Sequence, residues 1–300
     1  MTYQSSLTPV LKAITPRFGT VVGGEIITFD GENFSTTLAN YNILIDGRVC
    51  EVTEASATKI KCKTGKRPGL YENTSLQITI AGMGNVATQG LLFRYVNYWS
   101  EPLTWGGDFQ PVTGDMIYIP KGLHLLVDVD STPVLSAVVV EGSLIFPPHI
   151  SDTNHVRTFD AHYVLVRGGY LEAGTEQFPY NSKLIITMHS KRFDPEIPVF
   201  GNKVIAMYNG ILDLHGVPRD PTWTMLETTA DVGANTITLI RAVDWKVGER
   251  IVVAPTSYHN YEAEEREIIS IDRTNPDKPV LTLDKPFDYK HFAAVQNFGT

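Results

Sequence analysis

The chain has 300 residues, 43% of them hydrophobic and 19% charged, with a formal net charge of −8. That is enough apolar material for a core, and enough length for two ordinary domains or one domain and part of a second. The acidic balance, unbroken by any basic run, argues against nucleic acid and loose capture of other polyanions, since phosphate binding draws on clustered Lys and Arg; no stretch approaches the roughly 20 apolar residues of a membrane span.

The opening segment, MTYQSSLTPVLKAITP, lacks the charged and apolar regions of a signal peptide, so the chain reads as a fragment whose signal lies elsewhere. Residues 1–6 are expected to be linker. A glycine-bounded strand comes next: Glu25, Ile27 and Phe29 alternate with Ile26, Thr28 and Asp30 after Gly23-Gly24. Further short strands are predicted over Tyr41–Asp46, Val49–Val52, Lys59–Lys63, Ser75–Ala81 and Leu91–Tyr95. About seven short strands in this length are what an immunoglobulin-like sandwich requires.

Both cysteines of the chain, Cys50 and Cys62, lie in this region, in β-rich text separated by a polar turn. Strands running out and back would bring the sulfurs together, and a disulfide there would add roughly 2–3 kcal/mol; two free buried thiols are the other reading. A bridge implies an oxidising compartment. Two glycosylation sequons, at Asn33 and Asn73, fall in predicted turns of the same module and agree with secretion.

P-x-x-G-x-x-x-G-G from Pro16, then T-F-D-G-E-N-F from Thr28, then C-x-V-x(9)-C from Cys50, resemble the IPT/TIG family of immunoglobulin-like modules over 7–96. The resemblance implies a spacer and contact surface rather than a catalyst.

After Tyr95 the text changes. Trp99 and Trp105 flank a short polar link, followed by strands MIYIP and HLLVDV among glycines 106, 107, 114 and 122. The phrases EGSLIF, GGYLEAG and NGILDLHG then each place a glycine (Gly142, Gly169, Gly210) two residues before a leucine, and each follows an apolar strand. Such recurrence suggests rungs of a parallel β-solenoid, with Leu144, Leu171 and Leu212 stacked inward.

W-G-G, P-V-T-G-D-M-I-Y-I-P-K-G, G-S-L-I-F, V-R-G-G-Y-L-E-A-G-T-E and I-I-T-M-H resemble the G8 domain, assigned here to 97–216, with Ser190 where that family often has glycine. Residues 217–300 resemble the start of the β-helix region that follows it. The order of modules is similar to the fibrocystin family, long single-pass membrane proteins with ectodomains of repeated TIG modules. The fold expected is thus all-β, a sandwich followed by a parallel solenoid with downstream rungs. What the resemblance implies is a segment of a cell-surface ectodomain or its shed form, in a coat such as that of cilia or stereocilia. Its partners would be neighbouring modules, further copies, other extracellular proteins or a glycan.

The same text is also similar to cell-surface hyaluronidases and secreted hyaluronan-depolymerising proteins, so the alternative is a hyaluronan-binding or hyaluronan-depolymerising region, in the latter case a hyaluronidase-like glycosidase. Glycoside hydrolysis uses two carboxyls about 5–10 Å apart, one of them protonated. Asp213 and His215, two apart on a strand, point to one face, and Glu262 and Glu264 can do likewise. Either pair has the chemistry to bind a hard cation such as calcium or to move protons. The plainer readings are a solvent-facing Asp213 between inward leucines, a His215 bonded to a turn, and a solvated charge cluster of Glu262, Glu264, Glu265 and Arg266. No cofactor is expected, and no G-x-S-x-G elbow, phosphate loop or H-E-x-x-H occurs.

Overall fold

The computed structural model describes residues 8–71, 73–107, 109–149 and 151–294; the expected linker 1–6 lies outside them. The chain forms two units, Met1–Gly216 and Val217–Thr300.

The first unit opens with β1 (Val10–Thr15), β2 (Phe18–Thr20), β3 (Ile26–Glu32), β4 (Tyr41–Ile45), β5 (Arg48–Val49), β6 (Glu51–Ala55), β7 (Lys59–Lys63), β8 (Leu76–Ile80), β9 (Gly84–Asn85) and β10 (Arg94–Tyr98). Two antiparallel sheets, β1-β3-β7-β6 and β5-β4-β8-β9, face one another as a sandwich. The period-two pattern of β3 puts Ile27 and Phe29 inside, where they meet Ile43, Ile45, Ile60, Ile78 and Phe93. Cys50 sits where the chain leaves one sheet at β5 and enters the other at β6. It is joined to Cys62 of β7 by a disulfide, with 5.5 Å between the Cα atoms.

The solenoid adds β11 (Met116–Ile119), β12 (His124–Leu126), β13 (Ala137–Val140), β14 (Ser143–Phe146), β15 (Val156–Ala161), β16 (Tyr163–Arg167), β17 (Tyr170–Ala173), β18 (Lys183–Met188), β19 (Val204–Tyr208) and β20 (Ile211–Leu214). All pair in parallel and form three faces: β11-β13-β16-β19, β12-β14-β17-β20 and β15-β18. Leu125, Leu144, Leu171 and Leu212 are successive register partners, as the repeated phrase predicts. The first three are 1% exposed, whereas Leu212 of the fourth rung is 41% exposed.

The glycine of each phrase has a steric cause. A Cβ on Gly142 would stand 2.2 Å from the Leu123 carbonyl oxygen, and one on Gly169 2.4 Å from that of Val140. Successive rungs pass too closely there for any side chain. Ser190, in place of the family's glycine, is buried and donates its hydroxyl to the His162 carbonyl at 2.8 Å.

Sandwich and solenoid share a strand. β10 pairs with β2 through Arg94–Val96 and with β12 through Asn97 and Tyr98, so one parallel sheet runs β2-β10-β12-β14-β17-β20. The stretch read as a polar link is folded onto the solenoid instead. Trp99 is 2% exposed in the solenoid core, with the Trp105 ring 5.0 Å away and its Nε1 donating to the Trp99 carbonyl at 2.7 Å.

The second unit contains β21 (Thr236–Thr238), β22 (Arg250–Val253), β23 (Glu264–Asp272) and β24 (Val280–Leu283), ordered β21-β24-β23-β22. Its pairings are all antiparallel, so its described strands add none of the downstream rungs expected. The connections 254–263 and 273–279 return the chain antiparallel to its neighbour, whereas parallel neighbours need a crossover of about a dozen residues or more. Ile237, Leu239, Ile268, Leu281, Leu283 and Phe287 form its core.

Candidate binding cleft

The alternation of the solenoid strands determines what faces outward. On β17, Leu171 and Ala173 point into the core, so Tyr170 and Glu172 point out; on β20, the outward residue between Leu212 and Leu214 is Asp213. Lower on the same outer face Leu126 and Ile145 pack with Val96, Phe18 and Tyr98. On the next two rungs the face turns polar: Glu172 is the register partner of Ile145, and Asp213 of Glu172.

Here the sandwich supplies two arginines. Arg94, at the start of β10, donates through Nη1 to Glu172 Oε2, and Arg17 Nη2 lies 3.8 Å from Oε1. Glu172 is 2% exposed, a burial a carboxylate tolerates only with such partners. The Arg17 guanidinium stacks 3.7 Å over the Phe178 ring, and its Nε is buried with no hydrogen-bond partner among the described residues. Burial lowers the Arg17 pKa; Glu172 opposes that shift and Arg94 reinforces it.

Asp213 joins the two sides. Tyr170 donates its hydroxyl to Oδ2 at 2.6 Å, and His215 Nδ1 lies 2.5 Å from Oδ1. Burial first, and then this bond to the carboxylate, hold the Tyr170 hydroxyl well above its ordinary pKa. His215 is fixed through its backbone, whose N–H donates to the Ala173 carbonyl and whose own carbonyl accepts from Tyr180. Tyr170, Asp213 and His215, with Arg17, Arg94 and Phe178 and the turn Thr175–Gln177, line a cavity of about 390 Å³.

The structure thus brings Asp213 and His215 together, as their spacing implies. Asp213 is not simply solvent-facing: its side chain is 21% exposed and bonded twice. Sequence reasoning misses Arg17, Arg94 and Glu172, which meet only through tertiary contacts. The run around Glu264 departs from the solvated cluster expected. Glu262 ends a 3-10 turn and accepts from the Ser257 hydroxyl, whereas Glu264 opens β23 and is 5% exposed. Glu264 accepts from Arg266, from His291 Nε2 at 2.9 Å, and from the backbone N–H groups of Asp288 and Tyr289. Burial works to raise its pKa, but these donors outweigh it and hold the carboxyl below its ordinary value. Asn33 and Asn73 are both exposed. Among the described residues, no group of three or more His, Cys, Asp or Glu is gathered to hold a metal ion.

Two family models match: the IPT/TIG domain over residues 9–95 and the G8 domain over 104–227. Fold and cleft together therefore define a TIG–G8 segment in which an immunoglobulin-like module is merged into a parallel solenoid. Within that class the chain is similar to the fibrocystins over nearly its whole length. It is 36% identical to human Fibrocystin-L over 290 residues, which is 97% of this chain and 7% of that protein. It is 33% identical to mouse Fibrocystin-L over 97% of this chain and 7% of that protein, and 28% identical to mouse Fibrocystin over 88% and 6%. The chain thus spans only a small part of the relatives it matches.

Proposed function

We propose that this chain is an extracellular structural and interaction segment of a larger fibrocystin-like cell-surface protein, holding neighbouring modules in fixed register within a surface coat. The observation that carries the reading is the shared strand β10. Successive modules on an ordinary linker move independently, whereas here a six-stranded sheet crosses the join without interruption. The disulfide fits an oxidising compartment, and exposed Asn33 and Asn73 are the expected glycan acceptors. Among the described residues no helix is long and apolar enough to cross a membrane.

The test is to insert a flexible Gly-Ser segment between Val96 and Asn97 of the intact cell-surface protein. The reading expects normal folding of both modules but loss of cell–cell or bead–bead association. Association unchanged by the insertion, or absent from the uninterrupted protein, overturns it.

One observation favours a second reading, hyaluronan depolymerisation: Asp213 and His215 touch in a cleft beside Glu172. Against it, glycoside hydrolysis wants one carboxyl that keeps its proton. Glu172 instead faces two guanidiniums, and Asp213 accepts from Tyr170 beside His215. Size analysis of defined hyaluronan, with and without calcium, decides. Shortened polymer that Asp213→Asn abolishes would establish the enzyme, and unchanged polymer would remove it.

A further inference from the structure

We propose that Tyr261, in the second unit, is an acceptor for tyrosine O-sulfation. The inference rests on the cell-surface reading above, because a chain on that route passes the secretory compartment in which protein tyrosines are sulfated.

The chain has 13 tyrosines, and the fold uses the hydroxyls of many. Tyr41, Tyr95, Tyr118, Tyr163 and Tyr170 donate theirs to protein oxygens. Tyr208, Tyr258 and Tyr261 do not: they are 66%, 100% and 65% exposed, and among the described residues their hydroxyls have no hydrogen-bond partner. Tyr208 is held in β19, opposite Arg167 of β16, and no acid stands within four residues of it. A transferase must draw its acceptor into a cleft, which a strand paired along its length resists.

The other two lie in the loop 254–263 between β22 and β23. Its 3-10 turn, Asn260–Glu262, has no side-chain cap and is closed by long bonds. The Glu262 N–H donates to the His259 carbonyl at 3.2 Å and the Ala263 N–H to the Asn260 carbonyl at 3.4 Å. Bonds of that length are weak, so the loop opens to an extended form at small cost. The Tyr261 ring stands 5.1 Å from that of His259 and 6.4 Å from that of Tyr289, contacts that leave the hydroxyl unbonded.

Charge separates Tyr261 from Tyr258. Carboxylates follow Tyr261 after one, three and four residues (Glu262, Glu264 and Glu265), whereas Tyr258 has Glu262 alone within four. In the closed loop Glu264 is turned inward to His291, and Glu265 pairs on the surface with Arg250 at 3.0 Å. An exposed pair of that kind is worth little and yields to a competing cation. Transferases that sulfate tyrosine hold a polyanionic donor, so their clefts are basic and capture acidic acceptors.

In the transfer, the Tyr261 phenol oxygen attacks the sulfur of an activated sulfate, the mixed phosphate–sulfate anhydride of an adenine nucleotide. The S–O bond to that phosphate breaks, the nucleotide leaves with the electron pair, and the phenol proton passes to a base of the transferase. The product is a fixed anion whose oxygens suit guanidinium donors.

The experiment incubates the intact 300-residue chain with a purified protein-tyrosine sulfotransferase and radiolabelled activated sulfate, then reads tryptic peptides by mass spectrometry. Cleavage after Arg250 and Arg266 isolates both loop tyrosines in one peptide, residues 251–266. Label on that peptide is expected, lost in Tyr261→Phe, kept in Tyr258→Phe and acquired severalfold more slowly in Glu265→Gln. All three side chains are exposed, and unchanged thermal midpoints check that the variants fold. The same peptide from the intact protein at the cell surface should carry sulfate that chlorate treatment of the cells removes. Three outcomes overturn the proposal: no label on 251–266, label that survives Tyr261→Phe, or a surface protein whose peptide is unmodified or carries phosphate instead. Surface biotinylation separates the two readings: a protein missing from the surface removes the cell-surface reading, whereas an unsulfated protein at the surface removes the modification alone.

Discussion

Glu172 and Glu264 are both nearly buried, 2% and 5% exposed, and each faces an arginine, yet they are finished differently. Glu264 has protein donors on both oxygens: Arg266 and the Asp288 N–H on one, the Tyr289 N–H and His291 on the other. Glu172 has Arg94 on one oxygen and, on the other, Arg17 at 3.8 Å, beyond hydrogen-bond range. The saturated carboxylate belongs to the fold of its unit. The incompletely satisfied one lies behind Arg17 and Arg94, the two arginines that line the cleft.

The largest expected effect breaks the saturated site. Glu264→Ala leaves Arg266 buried without its partner, which costs about 3–5 kcal/mol. Loss of amide-exchange protection at Ile268 and Leu281, with Leu144 and Leu171 still protected, is the expected pattern. Equal loss in both units would mean that they unfold as one.

Acid separates the units next. His124 is 8% exposed and hydrogen-bonded to Ser143. Burial, reinforced by Arg67 and Arg94, lowers its pKa to about 4. The unfolded chain, near 6.5, binds this proton first, so the first unit loses stability as pH falls from about 6.5 to 4, by up to about 3 kcal/mol. Glu264 is depressed, so its contribution is complete above its ordinary value of 4.5 and disappears only as pH falls below that. Melts from pH 7 to 4 should therefore soften the first unit earlier, and His124→Gln should flatten that slope. Gly169→Ala probes the same unit by sterics: its Cβ meets the Val140 carbonyl at 2.4 Å, a cost of about 1–3 kcal/mol read from the thermal midpoint.

Much of this contrast is absent from the sequence for physical reasons. Strand alternation and the glycine corners are local, so Ile27, Phe29, Gly142 and Gly169 announce their places. The inward set Glu264, Arg266, Ile268 also has the period of two, but two of its members are charged and read as solvated. Their burial depends on donors at Asp288, Tyr289 and His291, far along the chain. Arg17 and Glu172 are farther apart still, and nothing near either residue signals the other. Trp99 and Trp105 look like markers of a link because nothing local shows that the chain folds back over the solenoid.

The smallest effect sharpens the comparison most. Asp213→Asn keeps the shape of the side chain, and an amide oxygen still accepts the Tyr170 hydroxyl that the carboxylate accepts at 2.6 Å. With the side chain partly exposed at the cleft edge, the expected change in stability is within about 1 kcal/mol. The electrostatic change is larger, because Tyr170 loses the charged acceptor that helps hold its pKa up. Ultraviolet pH titration should show the Tyr170 hydroxyl ionising at lower pH in the variant while the thermal midpoint hardly moves. A midpoint loss as large as that of Glu264→Ala would instead place Asp213 with the saturated carboxylate, as part of the fold.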